Sequence, residues 1–239
     1  MPAQAVIESR PVLPVHLDTD AFRAWFGASK VVDAHGAPMV VYHGTPAHRN
    51  GLGQNIEAFD RLAVVRFNGA RHRLDTVGTW FSTRADDLGA GMYGDNVYPV
   101  YLSIQNPYIT TFAMMARRAH QLAGTWDGFD ENGERPVPGR PGVMERAIAT
   151  VGEAQVNALR AWLSCNGRDG IRITHDPRGR STEFQAQDAW IALEPGQIKS
   201  ALANVGSYDR ADPRMAFRRA EKVSPPAAED EEDGCTPRF

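Results

Sequence analysis

Cysteine is nearly absent from this chain: Cys165 and Cys235 are the only two in 239 residues, and the second sits in an acidic C-terminal stretch. Two isolated thiols supply neither a disulfide framework nor a CxxC or zinc-binding spacing, so the fold must rest on packing. An excess of positive charge is missing as well. Lys and Arg number 26 against 29 Asp and Glu, a formal net charge of -3, which gives no basic field of the kind that steers proteins to phosphate backbones. Long apolar runs are lacking too. Nothing approaches the roughly 20 consecutive apolar residues that a bilayer crossing needs, and the opening "MPAQAVIESRPVLP" has no charged segment followed by an apolar one, as a cleavable export signal would. These absences predict a soluble chain without membrane insertion. No internal repeat is present, and the length suits one main domain with a single core.

The chain divides into three parts by composition. Residues 1–17 hold three prolines and no sustained period, which predicts an extended lead-in. Residues 18–210 carry the periodic segments and form the expected domain. Residues 211–239 include "SPPAAEDEEDG" and predict a flexible acidic tail. Within the domain, "DTDAFRAWFGAS" predicts a short helix capped by Asp18 or Asp20, with Phe22, Trp25 and Phe26 on one face and Gly27 at its end. The two apolar runs of "VVDAHGAPMVVYHGT" predict a hairpin turning at "AHGAP". Strand character returns in "GTWFST", in "VYPVYLSIQNPYITTF" with a break at Asn106-Pro107, in "DGIRITH" and in "AWIALEP". Helical spacing covers 112–123 and 142–164, the latter as one helix or two joined near Gly152. The Gly-, Asn- and Arg-rich stretch 46–77 shows little regular period, and long irregular loops of that kind tend to be functional.

The segment "MVVYHGTP" raises the functional question. Four strand-forming residues run into His43, Gly44 and Thr45, and a histidine that ends a strand is either a structural hydrogen-bonder or a group held toward a ligand. Three further segments point to the second reading: "GTWFS" with Tyr93 behind it, "VYPVYLSIQNP", and "WIALEPGQIKSALANVGSYD". In this order and spacing they resemble the ADP-ribosyltransferase superfamily of the diphtheria-toxin and poly-ADP-ribose polymerase type, and most closely the bacterial and phage branch found in polyvalent and effector proteins. The resemblance spans roughly residues 20 to 210.

The resemblance implies an α+β fold in which two small antiparallel sheets form an NAD cleft with helices outside. It implies that His43 bonds the nicotinamide-side ribose of NAD and that the backbone of Gly44 pairs with the carboxamide, an approach that the missing Cβ permits. Thr45 completes that turn. Trp80 and Tyr93 are implied as the two faces of a clamp on nicotinamide, with Phe81 and Ser82 counted among the cofactor contacts. Arg61, Arg66 and the cluster "RHR" at 71–73 suit either the pyrophosphate or a solvated loop face. No metal is implied, and no histidine spacing suggests a ligand set.

The pattern breaks at one place. Members of the superfamily carry a glutamate directly before the strand that here reads "WIALEP", but this chain has Ala189. A carboxylate there would hold the ribose 2′-hydroxyl and favour the oxocarbenium-like state formed as the nicotinamide bond breaks. Three explanations stand open: an engineered Glu-to-Ala change, a neighbour such as Glu183, Gln187 or Asp188 serving instead, or a non-catalytic relative. Gln187 occupies a position that in family members helps select the acceptor. The resemblance thus implies transfer of ADP-ribose from NAD to a macromolecular acceptor, protein rather than nucleic acid given the acidity, by a bacterial toxin or effector delivered into a target cell, with room for an immunity or chaperone partner. Hydrolysis of NAD and an inactive binding module are the alternatives.

Overall fold

The computed structural model describes residues 17–45, 56–63, 73–86, 90–94, 96–126, 148–174, 188–202, 204 and 208–215. Its centre is one seven-stranded mixed sheet in the order β4-β5-β6-β2-β1-β3-β7. The strands are β1 (Val41–Thr45), β2 (Thr79–Ser82), β3 (Asn96–Leu102), β4 (Pro107–Thr110), β5 (Gly170–Ile173), β6 (Ala189–Ala192) and β7 (Ile198–Ser200). β4 and β5 run parallel, and the other neighbouring pairs are antiparallel. The expectation of two separate antiparallel sheets is therefore corrected to one sheet. The reason lies at its middle, where β1 and β2 are joined by a single residue pair, Tyr42 with Ser82. By contrast β1 pairs with β3 over five residues and β2 with β6 over four. The sheet is two ladders held together at one rung.

Side chains on paired strands alternate between the two faces, and the register assigns each face a cover. On one face, Trp80, Ile171, Ile173 and Ile191 pack under helices α2 (Phe112–Leu122) and α3 (Glu153–Cys165). Further along the same face, Tyr101 receives the aromatic side of helix α1 (Asp20–Phe26) together with Tyr208. The opposite face buries Val41, Phe81, Val100 and Trp190 beneath Phe59 and Met215. Phe81 is 1% exposed.

The helix ends follow local chemistry. Asp18 and Asp20 were both candidates for the cap of α1, yet the cap is Thr19, whose hydroxyl accepts from the Phe22 amide at 3.1 Å. The two carboxylates instead pair with Arg23. Gly27 closes the helix at a φ of 55°, a conformation that glycine adopts without strain. Helix α2 is capped by Thr111, which accepts from the Met114 amide at 3.3 Å. The expected break near Gly152 is where α3 begins, with Gln155 reaching back to the Gly152 amide at 3.0 Å. The expected hairpin around His35-Gly36 is reduced to a single bridge between Val32 and Pro38, its turn held by the Asp33 carboxylate.

Residues 211–215, the first five of the expected tail, are held against the sheet. Met215 is 5% exposed, its carbonyl accepts from the Ser200 amide at 3.0 Å, and its own amide donates to the Glu57 carbonyl at 2.7 Å. Residues 212–215 thus lie between β7 and the stretch 56–59 as an added edge.

Candidate active site at the break in the sheet

His43 sits beside the single rung. Its Nδ1 lies 2.7 Å from the carbonyl oxygen of Trp80. A carbonyl can only accept, so Nδ1 carries the proton and, in the neutral ring, Nε2 is an acceptor. The imidazole is walled by Phe59, edge-on at 4.9 Å between centroids, and by Phe81 at 5.6 Å. Burial lowers its pKa below the ordinary histidine value, and the bond to Trp80 opposes this only in part. The ring is therefore neutral near pH 7, with a fixed tautomer that suits a hydroxyl donor such as a ribose 2′-OH.

This arrangement has a pH signature. The unfolded chain takes up the His43 proton near pH 6.5, and the folded chain takes it up only at lower pH. Lowering the pH through that window therefore favours the unfolded state, so stability rises with pH there. An NMR titration of the His43 Hε1 resonance is expected to give a midpoint below 6.5, and a midpoint at or above it would contradict the buried setting.

Gly44 follows on β1. Pro99, which pairs with Tyr42, has its carbonyl turned to the far side, where the Ala201 amide donates to it at 3.0 Å. Polar groups alternate between the two neighbours of a strand, so the amide and carbonyl of Tyr42 face β2, and those of Gly44 do also. The β1–β2 ladder has ended by then. The Gly44 peptide thus presents a donor and an acceptor along the opened edge, the pattern that complements a carboxamide. Its other side is closed by the 3₁₀ turn Ala90–Tyr93: a Cβ added to Gly44 would stand 1.7 Å from the Ala90 oxygen and 3.2 Å from Tyr93 Cβ. Glycine is required here for packing.

Tyr93 rides on that contact, 42% exposed. Burial of part of its ring, and secondarily the charge of Asp75, push its phenol pKa up, so it stays un-ionised. Trp80 projects from the helix-covered face, with its indole edge-on to Phe112 at 5.8 Å. Ser82 and Ala189 are paired across β2 and β6 on that same face, both partly exposed. The structure therefore gathers Trp80, Ser82 and Ala189 on one face near Gly44 and Tyr93, while His43 projects from the other face and meets Trp80 through its backbone.

Two of the expected contact residues are buried. Phe81 shares its face with His43 and Trp190 and is a core residue, so its ring is not available to a cofactor. Thr45, also on that face, is 8% exposed. Phe81→Leu is expected to lower stability by about 1 to 2 kcal/mol and to leave NAD affinity within about twofold; calorimetry on the purified variant checks both. Asp188 projects away from Ala189, 3.5 Å from Arg172, whose guanidinium lies over the Trp190 ring. Arg61 donates to the Thr76 carbonyl at 3.0 Å. Glu183, Gln187 and Arg66 lie outside the described residues, and so do the side chains of the 71–73 cluster. Sequence reasoning missed Phe59, which walls His43 from a stretch without strand or helix period, and Asp75, whose charge reaches Tyr93.

A family model described as ADP-ribosyltransferase in polyvalent proteins matches residues 33–208, the span that contains the rung, His43, Trp80 and Ala189. The chain belongs to this family. Membership gives it an ADP-ribosyltransferase-type function, with NAD as the substrate that the family uses. No curated protein matches the chain. A solved structure described as an anti-CRISPR protein is similar over 65% of this chain and 89% of that one, at 13% identity and a TM-score of 0.29. Among the described residues no cluster of His, Cys, Asp or Glu suits a metal ion, and no helix is long and apolar enough to cross a membrane.

Proposed function

We propose that this ADP-ribosyltransferase domain grips NAD by its nicotinamide end at the break between β1 and β2, and that its reaction is transfer of ADP-ribose to a protein acceptor. The observation that carries the reading is the pair of groups at the opened edge: the Gly44 peptide, turned toward a strand that no longer pairs with it, and the neutral His43 ring with Nε2 as acceptor. A planar amide is matched by the first and a sugar hydroxyl by the second.

Bound NAD supplies a glycosidic bond whose cleavage builds positive charge on the ribose. The chain's own residues orient that end. Gly44 fixes the carboxamide, Trp80 and Tyr93 flank the ring from separate strands and turns, Ser82 lies on the same face, and His43 accepts from the ribose without itself becoming charged. Position 189 is where a carboxylate would stabilise the cation, since it shares the face of Trp80 and Ser82; Ala189 supplies none. Gln187, just upstream, orients the acceptor in this reading, and the role of a toxin or effector follows from the branch of the family. Labelled NAD separates transfer from hydrolysis. With Ala189→Glu and a cell lysate, label retained on protein supports transfer, whereas release of all label as free ADP-ribose supports glycohydrolysis.

A further inference from the structure

Lys199 is fully buried, at 0% exposure, on an edge strand of a mildly acidic protein. Its ammonium donates to two backbone carbonyls, Asp212 at 2.7 Å and Arg214 at 2.8 Å. Burying an ammonium is unfavourable unless its donors are satisfied, and both hydrogen bonds it makes here go to main-chain carbonyls of the segment 212–215 at the sheet edge, with the charges of Asp212 and Asp209 nearby. That segment is set to receive it. The Asp212 carboxylate accepts from the Arg214 amide at 2.9 Å and is clamped by the Arg214 guanidinium at 2.8 Å. The resulting tight turn aims both carbonyls at Lys199.

The clasp leads toward the active site. Held by Lys199, residues 212–215 pair on one side with β7 through Ser200, and on the other with Glu57 and Ala58. The next residue is Phe59, 5% exposed, whose ring stands edge-on against His43, Phe81 and Tyr98. The stretch 56–59 has no helix or strand of its own, and among the described residues its backbone bonds to Met215 and to the Tyr98 hydroxyl.

We propose that Lys199 is a positioning residue: it pins the 212–215 segment to the sheet edge, and that segment sets Phe59 against His43 so that water is kept from one side of the imidazole. The functional consequence rests on the reading of His43 as the ribose-binding group. A wet imidazole is charged over more of the physiological range and loses the Nε2 acceptor. Among the described residues, the groups facing His43 are the rings of Phe59 and Phe81 and the Trp80 carbonyl, so Phe59 is the wall whose displacement would wet the ring.

The test is an NMR titration of His43 Hε1 in the NAD-free chain of 239 residues. Lys199→Met keeps an unbranched apolar stem one atom shorter and removes the donors. It is expected to move the His43 midpoint upward toward 6.5, to be mimicked by Phe59→Leu, and to add nothing when combined with it. Asp212→Ala, which loosens the turn and leaves the ammonium in place, gives the same upward shift and serves in full if Lys199→Met does not fold. A folded Lys199→Met or Asp212→Ala chain with an unchanged midpoint overturns the proposal, as does an unchanged midpoint in Phe59→Leu. In parallel, NAD affinity by calorimetry is expected to fall about tenfold in each variant, relative to the parent. A shifted midpoint in the variants of a parent chain that binds no NAD leaves the positioning role standing and removes the NAD reading instead.

Discussion

Ala189→Glu is expected to raise the rate of nicotinamide release from NAD by on the order of 10² to 10³, the usual worth of one preorganised charged or hydrogen-bonding group at a developing charge. The position is built for it. Ala189 pairs with Ser82 on one side and Ile173 on the other, and the pleat sends its side chain to the face that carries Trp80. In the proposed reading, a glutamate there would project from the face of Trp80 and Ser82 beside the rung where the two ladders meet, toward the ribose of a nicotinamide held at Gly44. Its carboxylate stabilises the positive charge that grows on the sugar ring. The neighbouring carboxylate does not take its place, because Asp188 leaves the strand on the opposite side and pairs with Arg172. Chromatographic assay of nicotinamide with parent and variant measures the gain, and equal rates in the two would show that position 189 is not the lost group.

Gly44→Ala, made in the Ala189→Glu background, is expected to abolish that gain. The added methyl would stand 1.7 Å from the Ala90 oxygen, so backbone has to move, and only two directions are open. Displacing the Ala90–Tyr93 turn withdraws Tyr93 from the nicotinamide side, and displacing β1 turns the Gly44 peptide off the carboxamide. Overpacking of this kind costs about 1 to 3 kcal/mol or more of stability, and NAD affinity is expected to drop by more than about 100-fold. Thermal unfolding and calorimetry measure the two effects. A variant with full NAD affinity would show that the carboxamide is bound elsewhere.

What the sequence made legible, and what it did not, has a physical pattern. His43 and Gly44 stood out because an apolar strand ending in His-Gly-Thr is unusual in chemistry and in backbone freedom, and both fall at the break in the sheet. Ala189 stood out by a missing carboxylate at a fixed distance from Gln197. Most strands and the two longer helices were readable from apolar spacing. The single sheet was not, since whether β1 and β2 share one rung or none is a matter of register between segments about forty residues apart. Phe81 was assigned to the cofactor because position along a strand does not reveal which face is covered, and Phe59 supplies that cover from a stretch with no period. The clasp at 212–215 was hidden for a related reason. Its charged residues blend into the acidic tail, and what holds it is the backbone, whose carbonyls meet Lys199 whatever the local side chains are. Thr19 displaced both aspartates as the cap of α1 because Arg23 draws those carboxylates to itself.

If the nicotinamide end of NAD is held at the break between β1 and β2, NMR of the unaltered chain during an NAD titration will show it. Resonances of the His43 imidazole, the Gly44 amide, the Trp80 indole and the Tyr93 ring are predicted to shift together with one saturation curve, and nicotinamide alone to reproduce the Gly44 and Tyr93 shifts. A titration that leaves these four groups unmoved at saturating NAD would contradict the account.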